Sequence, residues 1–452
     1  YCPLSSFNFR RSLTSDNFSF DTAHNCKYLA FVRTFTALLT QQPTFMENMQ
    51  NKGWKARLLH LPLLPRIIIA IILGVVAGSF VPGEWLRVFA TFNGIFSQLL
   101  GFLIPLIIIG LVTPAIADIG ESAGRLLVVT VLVAYLDTVV AAFVGYGTGE
   151  ALFPSLVAGG ESLSGVGLDT VFTPYFTVKI PPMTDVMSAL VFAFVAGLGI
   201  AYSKSPVLKS AASEGQEIIS LTISKAIIPL LPLYIFGIFV GMAVSGDAMR
   251  VMSVFAKIIV VIFVLHVFIL IYEYFIAGLI AKRNPLRLLL NMLPAYFTAL
   301  GTSSSAATIP VTLRQTEKNG VSRGVAGFVV PLCATIHLSG SAMKITACAL
   351  TVCLLGGMPH GIGHFTHFIL MLGIIMVAAP GVPGGAIMAA LAPLESILGF
   401  DPNAQALMIA LYIAMDSFGT ACNVTGDGAI AVALNRFFAP RRTTAVPEST
   451  DA

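Results

Sequence analysis

Charge is scarce in this sequence. Asp, Glu, Lys and Arg make up 11% of its 452 residues, whereas 56% of the residues are apolar. The mean hydropathy of +0.87 excludes an ordinary soluble enzyme and indicates a chain that crosses a membrane several times. Because the net charge is only +4, nothing in the composition favours nucleic acid as a partner. We therefore predict an all-α polytopic membrane protein in a lipid bilayer.

Two kinds of chemistry also lack their sequence motifs. The six cysteines show no CxxC or Cys/His ligand spacing, so we predict neither disulfides nor a cysteine-based metal site. Ser305 does not lie in a Gly-x-Ser-x-Gly turn, which presents the nucleophile of many hydrolases. An intramembrane hydrolase using Ser305 with His337 as its base therefore stays a distant alternative, and we predict that the chain is not an enzyme.

Long apolar runs predict the transmembrane helices. The eight predicted spans are residues 64–82, 89–117, 124–147, 184–203, 221–245, 251–281, 325–353 and 403–434. Two further apolar stretches, 284–312 and 364–400, contain "GTSSS" and "APGVPGG", whose Gly and Pro residues interrupt a helix. Irregular backbone at membrane depth persists only inside protein or beside water. We therefore predict two re-entrant hairpins.

The distribution of Lys and Arg predicts the orientation. If the N-terminus is cytoplasmic, the extracellular segments contain only Arg87, Lys179 and Arg250. Apart from Lys257 and Lys344, which lie within predicted spans, the other cations belong to the cytoplasmic side. Such a bias follows the positive-inside rule. We predict a multi-pass protein of a bacterial inner (plasma) membrane, with its N-terminus in the cytoplasm. The first hairpin then enters from the cytoplasmic side and the second from outside.

The chain contains an internal repeat. "IHLSGS" at 336–341 and "CNVTGD" at 422–427 share a pattern, and each follows a broken apolar segment. Paired units of this kind, entering from opposite sides, are typical of inverted-repeat transporters, in which substrate and coupling ion bind near the middle of the membrane.

This repeat divides the chain into predicted domains. Residues 284–436 form the predicted transport core. Residues 46–283 are predicted to be mainly scaffold helices, except that span 124–147 belongs with the transport half. We expect residues 1–45 to be a non-native or disordered extension and residues 437–452 to be a disordered tail.

Four polar residues in the last span are spaced by four, three and four positions, so they share one helical face: Asp416, Thr420, Asn423 and Asp427. A charge at the bilayer centre costs about 2.5–3.5 kcal/mol, which makes such residues functional candidates. Their oxygens, together with carbonyls freed at Gly426, would suit sodium, whereas a purely structural network is the alternative. The N–H groups of "GTSSS" would suit a carboxylate, unless this is an ordinary Ser-rich loop.

Four motifs in order carry a resemblance to a known family. "SSSAATIPVTLR", "PLCATIHLSGS", "GVPGGAIM" and "NVTGD" resemble the dicarboxylate/amino acid:cation symporter family, over about residues 55–436. "DSFGTACN" looks most like the bacterial serine/threonine branch. The resemblance implies coupling to sodium ions, or to protons instead, and eight helices with two hairpins. It also implies a homotrimer in which the transport half moves like an elevator.

The resemblance assigns two groups of residues. A sodium site is implied at Asn423 and Asp427, completed by the backbone carbonyls of Cys333 and His337. Asp416 matches the residue that holds the α-amino group of the substrate, the hairpin serines match carboxylate ligands, and Gly381, Val382 and Pro383 match an outer gate. The full substrate set is Ser303, Ser304, Ser305, Thr335, Gly381, Val382, Pro383, Asp416, Gly419, Thr420 and Asn423.

The chain departs from the family at the substrate site. Gly419 stands where members with acidic substrates have an Arg that clamps the side-chain carboxylate. We therefore predict sodium-coupled symport of a small neutral amino acid such as serine, threonine or alanine. The alternatives are a symporter of C4-dicarboxylates or acidic amino acids, and a passive channel.

A second departure concerns a deeper sodium site. Ser339 replaces an Asp of the family pattern and His337 replaces an Asn, which leaves a second site of Tyr135, Asp137, Thr138 and Ser339 in doubt. The unexpected charges Asp137 and Lys344 suggest a buried pair instead, in which a fixed ammonium replaces the lost cation. We favour the pair slightly.

Overall fold

The computed structural model describes residues 63–80, 83–121, 124–157, 173–246, 248–379 and 383–438. None of these residues lies in a strand, which confirms the predicted all-α class. The predictions for residues 1–45, for most of the tail at 437–452 and for the gate residues Gly381 and Val382 fall outside these ranges. Family-typical features such as the elevator motion stay predictions.

The helices follow the predicted order. They are α1 Leu63–Phe80, α2 Gly83–Glu121, α3 Arg125–Val157, α4 Val186–Ser203, α5 Pro206–Thr222, α6 Ile228–Ser245, α7 Ala248–Ala281, α8 Pro285–Thr302, α9 Ser305–Lys318, α10 Arg323–Ile336, α11 Ser339–Gly356, α12 Ile362–Ala378, α13 Gly385–Ser396, α14 Pro402–Ala414 and α15 Asp416–Phe438. A π-helical turn, Ile223–Ile227, joins α5 to α6 without interrupting the helical rod.

Length and composition decide which helices can cross a membrane. Within the described ranges, five stretches meet both conditions: Glu84–Ala117, Arg125–Val157, Pro206–Ser245, Ala248–Ala281 and Arg323–Gly356. Helices α14 and α15, bent by 63° at their junction, form a sixth. The remaining two predicted spans, α1 and α4, have 18 residues each. Each therefore rises about 27 Å, close to a hydrocarbon core of about 30 Å.

The two interrupted segments form helix–turn–helix units, as predicted. In the first, α8 ends at Ser303, whose φ of 50° is left-handed, and Ser304 caps α9 by accepting a hydrogen bond from the Ala307 N–H. In the second, α12 ends at Ala379, and Gly384 starts α13 with a φ of 73°. The side from which each unit enters the membrane stays a prediction.

Each helix–turn–helix unit is followed by a broken helix, so the repeat is visible in the structure. The first break falls at His337 and Leu338, between α10 and α11. The second falls at Met415, between α14 and α15. The predicted unwinding at Gly426 is wrong, because α15 continues through this residue. Gly426 instead allows close packing, since a Cβ there would collide with the carboxylate of Glu273.

Helix α11 occupies the centre of the protein. It packs against α3, α14 and α15, and α7 packs against α15 and α8. Helices α2 and α4 form one further closely packed pair, and α1 and α6 form another. The sequence assigned α7 to the scaffold, yet it lies against the last helix of the predicted transport core. Helices α3, α7 and α11 thus all approach α15.

Close packing of α3 on α11 depends on Gly145. A Cβ at Gly145 would lie 2.6 Å from the Met343 carbonyl oxygen, whereas one at Gly147 would meet nothing within 4 Å. We expect Gly145→Ala to lower the free energy of unfolding by about 1–3 kcal/mol through overpacking. Gly147→Ala, the matched control, should be neutral or raise it by about 0.5–1 kcal/mol. Thermal unfolding in detergent measures both, and equal effects would contradict this contact.

Candidate functional site

The two hairpin turns meet at the start of α15. The Ser303 hydroxyl lies 2.7 Å from the Ser417 hydroxyl, and the Gly384 N–H donates to Asp416 Oδ2 over 2.9 Å. Both turns therefore reach the helix that begins at the Met415 break. This convergence brings together the predicted carboxylate ligands of the first hairpin and the predicted ligand of an α-amino group.

The other predicted substrate-binding residues differ in burial and in the contacts they make. Ser305 is buried in the first turn of α9, and the Thr420 hydroxyl donates to the Asp416 carbonyl over 3.1 Å. Pro383 is exposed beside Gly384. Thr335 is exposed, and its hydroxyl donates to Leu332 of its own helix over 2.8 Å, so its substrate contact stays a prediction.

Lys344 joins the same site from α11. Its side chain is 0% exposed, and its Nζ lies 3.8 Å from Asp416 Oδ1. The ammonium also donates to the Met415 carbonyl over 3.2 Å and lies 3.5 Å from the centre of the Tyr412 ring. The buried charge is therefore compensated by a carboxylate, a carbonyl and an aromatic face.

The predicted pair of Asp137 with Lys344 is not formed. Lys344 pairs with Asp416, and Asp137 Oδ2 lies 2.9 Å from His337 Nε2. The reason is distance along the helix, because seven residues separate His337 from Lys344 and carry the ammonium about 10 Å further. Lys344 instead reaches Gly419, where a Cβ would lie 2.8 Å from its Nζ.

His337 bridges two carboxylates in the interior. Its Nδ1 lies 3.0 Å from Asp427 Oδ1 and its Nε2 lies 2.9 Å from Asp137 Oδ2, and the ring is 0% exposed. A neutral imidazole donates through one nitrogen only. If both carboxylates are ionised, this cluster therefore needs an additional proton or cation. Both ring nitrogens are engaged, so neither is free to act as the base that the hydrolase alternative requires.

The predicted sodium ligands have hydrogen bonds of their own. The Asn423 Oδ1 accepts from the Ser341 N–H over 3.1 Å, and its Nδ2 donates to the Ser341 hydroxyl over 3.0 Å. The Cys333 carbonyl accepts from the His337 N–H over 2.9 Å. Asp427 faces the His337 ring, whereas the resemblance assigned only the His337 carbonyl to the site. A sodium site at these residues stays a prediction.

The residues of the doubtful second sodium site are only partly brought together. Ser339 and Asp137 lie in one cluster, and the Thr138 hydroxyl accepts from the Leu338 N–H over 3.4 Å. Tyr135 is directed elsewhere, because its hydroxyl donates to the Leu370 carbonyl of α12 over 3.4 Å. The predicted role of Tyr135 as a ligand is therefore not supported.

Glu273 of α7 is the residue that sequence reasoning missed. It is 5% exposed, and its Oε1 accepts from the Ser339 hydroxyl over 2.7 Å. The signal was available, because Glu273 is an acid inside predicted span 251–281 and intramembrane acids are functional candidates. Its carboxylate thus contacts Ser339, the residue that stands where the family pattern has an acid.

The sequence of the chain is similar to those of known transporters. The chain matches the model of the sodium:dicarboxylate symporter family over residues 63–437. It is 26% identical over 410 residues to the serine/threonine transporter SstT of Acinetobacter baylyi, covering 84% of this chain and 98% of that protein. It is 27% identical over 400 residues to SstT of Acinetobacter baumannii, covering 83% and 97%.

A third relative matches over a shorter stretch. The chain is 35% identical over 155 residues to excitatory amino acid transporter 3 of Mus musculus, covering 34% of this chain and 29% of that protein. The aligned part thus spans less than a third of the mouse transporter, whereas it spans nearly the whole of the bacterial ones.

The Lys344–Asp416 pair can be measured by a double-mutant cycle. Lys344→Met or Asp416→Asn alone leaves one buried charge without its partner, which typically costs about 3–5 kcal/mol. The double variant should recover much of this loss in thermal unfolding experiments in detergent.

Asp137→Asn provides the control for this cycle. Because Asp137 contacts His337 and not Lys344, its effect should simply add to that of Lys344→Met. A coupling between Lys344 and Asp137 as large as that between Lys344 and Asp416 would contradict the observed pairing.

Proposed function

The chain belongs to the sodium:dicarboxylate symporter family, and we propose that it couples uptake of a small neutral amino acid to the sodium gradient. The family match confirms the resemblance carried by the four motifs. The convergence of both hairpin turns on the start of α15, at Asp416 and Ser417, is the observation that supports this function best. A substrate bound there would contact both hairpins and α15, so its binding would change the contacts of all three.

The charges at this point suit a zwitterion. Asp416 offers a carboxylate to an α-amino group, and the N–H groups and hydroxyls around Ser303 offer donors to an α-carboxylate. Lys344 and Asp416 together carry no net charge, which matches a substrate of zero net charge. A second substrate carboxylate would enter a dry site where Asp416 already neutralises the only nearby described cation, and such burial is costly.

A second candidate function rests on Lys344. Its ammonium lies against Gly419, the position at which the resemblance places the clamping Arg of acidic-substrate members. If the ammonium leaves Asp416 for a substrate carboxylate, the protein transports an acidic amino acid or a dicarboxylate. The two functions differ in which partner Lys344 keeps when the substrate binds.

Sodium is the proposed coupling ion, with protons as the alternative. Asp427 and Asn423 supply oxygen atoms on one face of α15, and hard monovalent cations prefer such ligands. Family membership supports sodium coupling, and full-length similarity to bacterial serine/threonine transporters supports the choice of substrate. Each of these oxygens must exchange its present hydrogen bond for the ion.

We also propose a homotrimer in a bacterial plasma membrane, with the N-terminus in the cytoplasm and an elevator motion of the transport half. The bias of Lys and Arg supports the orientation. The pairs α2/α4 and α1/α6, which pack apart from the α3–α11 contact, are suitable scaffold elements.

Uptake of labelled serine into proteoliposomes tests the substrate. With an inward sodium gradient we expect accumulation against the serine gradient, and none when sodium is equal on both sides. Unlabelled serine, alanine and threonine should compete at least about tenfold better than aspartate or succinate, a difference of about 1.4 kcal/mol.

The same assay separates the alternatives. Strong competition by aspartate that disappears in Lys344→Met would favour the acidic-substrate function. A channel would equilibrate serine without concentrating it, and a hydrolase would leave a product. Serine uptake that does not depend on the sodium gradient would exclude sodium coupling.

Asp427→Asn tests the ion site. The substitution keeps the side-chain volume but removes the only full negative charge among the proposed sodium ligands on α15. We expect the sodium concentration for half-maximal uptake to rise by at least about tenfold, equivalent to losing one charge-assisted contact. Asp401→Asn is the matched control, because Asp401 is an exposed cap of α14 and Asn caps equally well. An unchanged sodium dependence in correctly inserted Asp427→Asn would exclude Asp427.

A further inference from the structure

Three side chains from separate helices meet beside the α10–α11 break. Asp137 comes from α3, Glu273 from α7 and His337 from the break itself, and one ligand atom of each lies within 4.8 Å of the others. We propose that these residues form a binding site for a divalent transition-metal ion such as Zn²⁺. This site lies beside the predicted sodium ligands and shares His337 and Asp137 with them, but it takes a different class of ion and uses Glu273, which the proposed function leaves without a role.

The donor types select the class of ion. The cluster offers two carboxylate oxygens and one imidazole nitrogen. Zn²⁺ binds His, Asp and Glu in such mixed sets, and imidazole suits Zn²⁺, Fe²⁺, Co²⁺ and Cu²⁺. Hard cations such as Ca²⁺ and Mg²⁺ prefer oxygen throughout. The nitrogen of His337 therefore favours a transition metal at this point.

Neighbouring groups hold the donors in place. Asp427 Oδ1 lies 3.0 Å from His337 Nδ1, so a proton on Nδ1 would be held there and Nε2 would face the other two acids. The Ser339 hydroxyl donates to Glu273 Oε1 over 2.7 Å. A carboxylate behind a metal-binding His is the usual outer arrangement of such sites, because it fixes the ring and its tautomer. The donors that would bind the ion are then Glu273 Oε2 together with His337 Nε2 and Asp137 Oδ2, which would exchange their 2.9 Å contact with each other for the metal.

The second carboxylate oxygen of Glu273 lacks a hydrogen bond. Glu273 Oε2 is buried and has no hydrogen-bond partner among the residues that the structure describes. A buried carboxylate oxygen without a partner is unfavourable, and an adjacent Asp137 carboxylate adds repulsion. With a neutral His337, the charges of Asp137, Glu273 and Asp427 sum to −3, and one divalent ion would balance two of them. Glu273 Oε2, the oxygen that lacks a hydrogen-bond partner, is therefore the glutamate atom that we assign to the ion.

A cavity leads to the cluster. It has a volume of about 180 Å³, and Asp137 and Glu273 supply the acidic part of its lining. Its apolar walls come from α3, α7 and α15, for example Val129, Ile276 and Phe437. The Asp137 side chain is 16% exposed, so the cavity opens onto its carboxylate. A bound ion would join three helices and stabilise the folded protein by mass action.

Cobalt binding to the purified, chelator-treated full-length protein in detergent tests the site, since Co²⁺ reports its coordination through visible absorption. We expect one Co²⁺ per chain, displaced by Zn²⁺, and a higher melting temperature in the presence of either ion. Glu273→Gln and Asp137→Asn should each weaken binding at least tenfold and abolish the stabilisation. The matched control is Glu150→Gln, because Glu150 also lies in α3 and has an unpartnered buried oxygen, yet lies outside the cluster. It should bind Co²⁺ as the unaltered protein does.

A second measurement needs no variant, in case the substituted proteins do not fold. X-ray absorption of the cobalt-loaded protein should show one imidazole nitrogen together with oxygen neighbours. A shell of oxygen alone, absence of stoichiometric binding, or equal binding by Glu273→Gln would each overturn the proposal. Sodium-driven serine uptake in the presence of chelator is expected regardless, so failure of the metal site would leave the proposed function unaffected.

Discussion

A single imidazole ring connects the parts of this protein that matter for its function. His337 lies between Asp427 of α15 and Asp137 of α3, at the point where α10 and α11 separate. In a medium of low dielectric, such a contact is retained only if every charge has a partner. The broken helix, the long helix α3 and the last helix are therefore held in register by one buried group, and Glu273 of α7 joins them through Ser339.

Buried charge in the protein is divided between two separate places. At the hairpin turns, Lys344 and Asp416 neutralise each other beside the proposed substrate. At the α10–α11 break, three carboxylates surround His337, and one imidazole cannot balance them. The first place carries no net charge, which suits the proposed zwitterionic substrate, whereas the second needs a further positive charge. In the proposed function, substrate and cation would therefore use different side chains of the same two helices, α11 and α15.

Small residues make these contacts possible. Gly419 leaves room for the Lys344 ammonium, and Gly426 leaves room for the Glu273 carboxylate. Both lie on α15, one near each buried charge. A side chain at either position would push the charged group away from its partners. Gly426, at which the sequence predicted unwinding, thus acts in packing, since α15 is continuous there.

The sequence by itself determined the helical class, the order of helices and the two helix–turn–helix segments. Apolar length and the local effects of Pro and Gly suffice for these features, because each depends on residues close in the chain. The same is true of the shared face of Asp416, Thr420, Asn423 and Asp427, which follows from helical spacing alone. The substrate role expected for Asp416, by contrast, came from the family resemblance and not from spacing.

Only the tertiary structure decided which charge meets which. His337 and Asp427 are 90 residues apart, and Asp137 and His337 are 200 apart. Sequence spacing carries no information on how far one helix slides along another, and a shift of one turn, about 5.4 Å, exchanges the partner of a buried charge. For this reason Lys344 faces Asp416 and not Asp137, Tyr135 turns to α12, and Glu273 enters a cluster in which no local pattern had placed it.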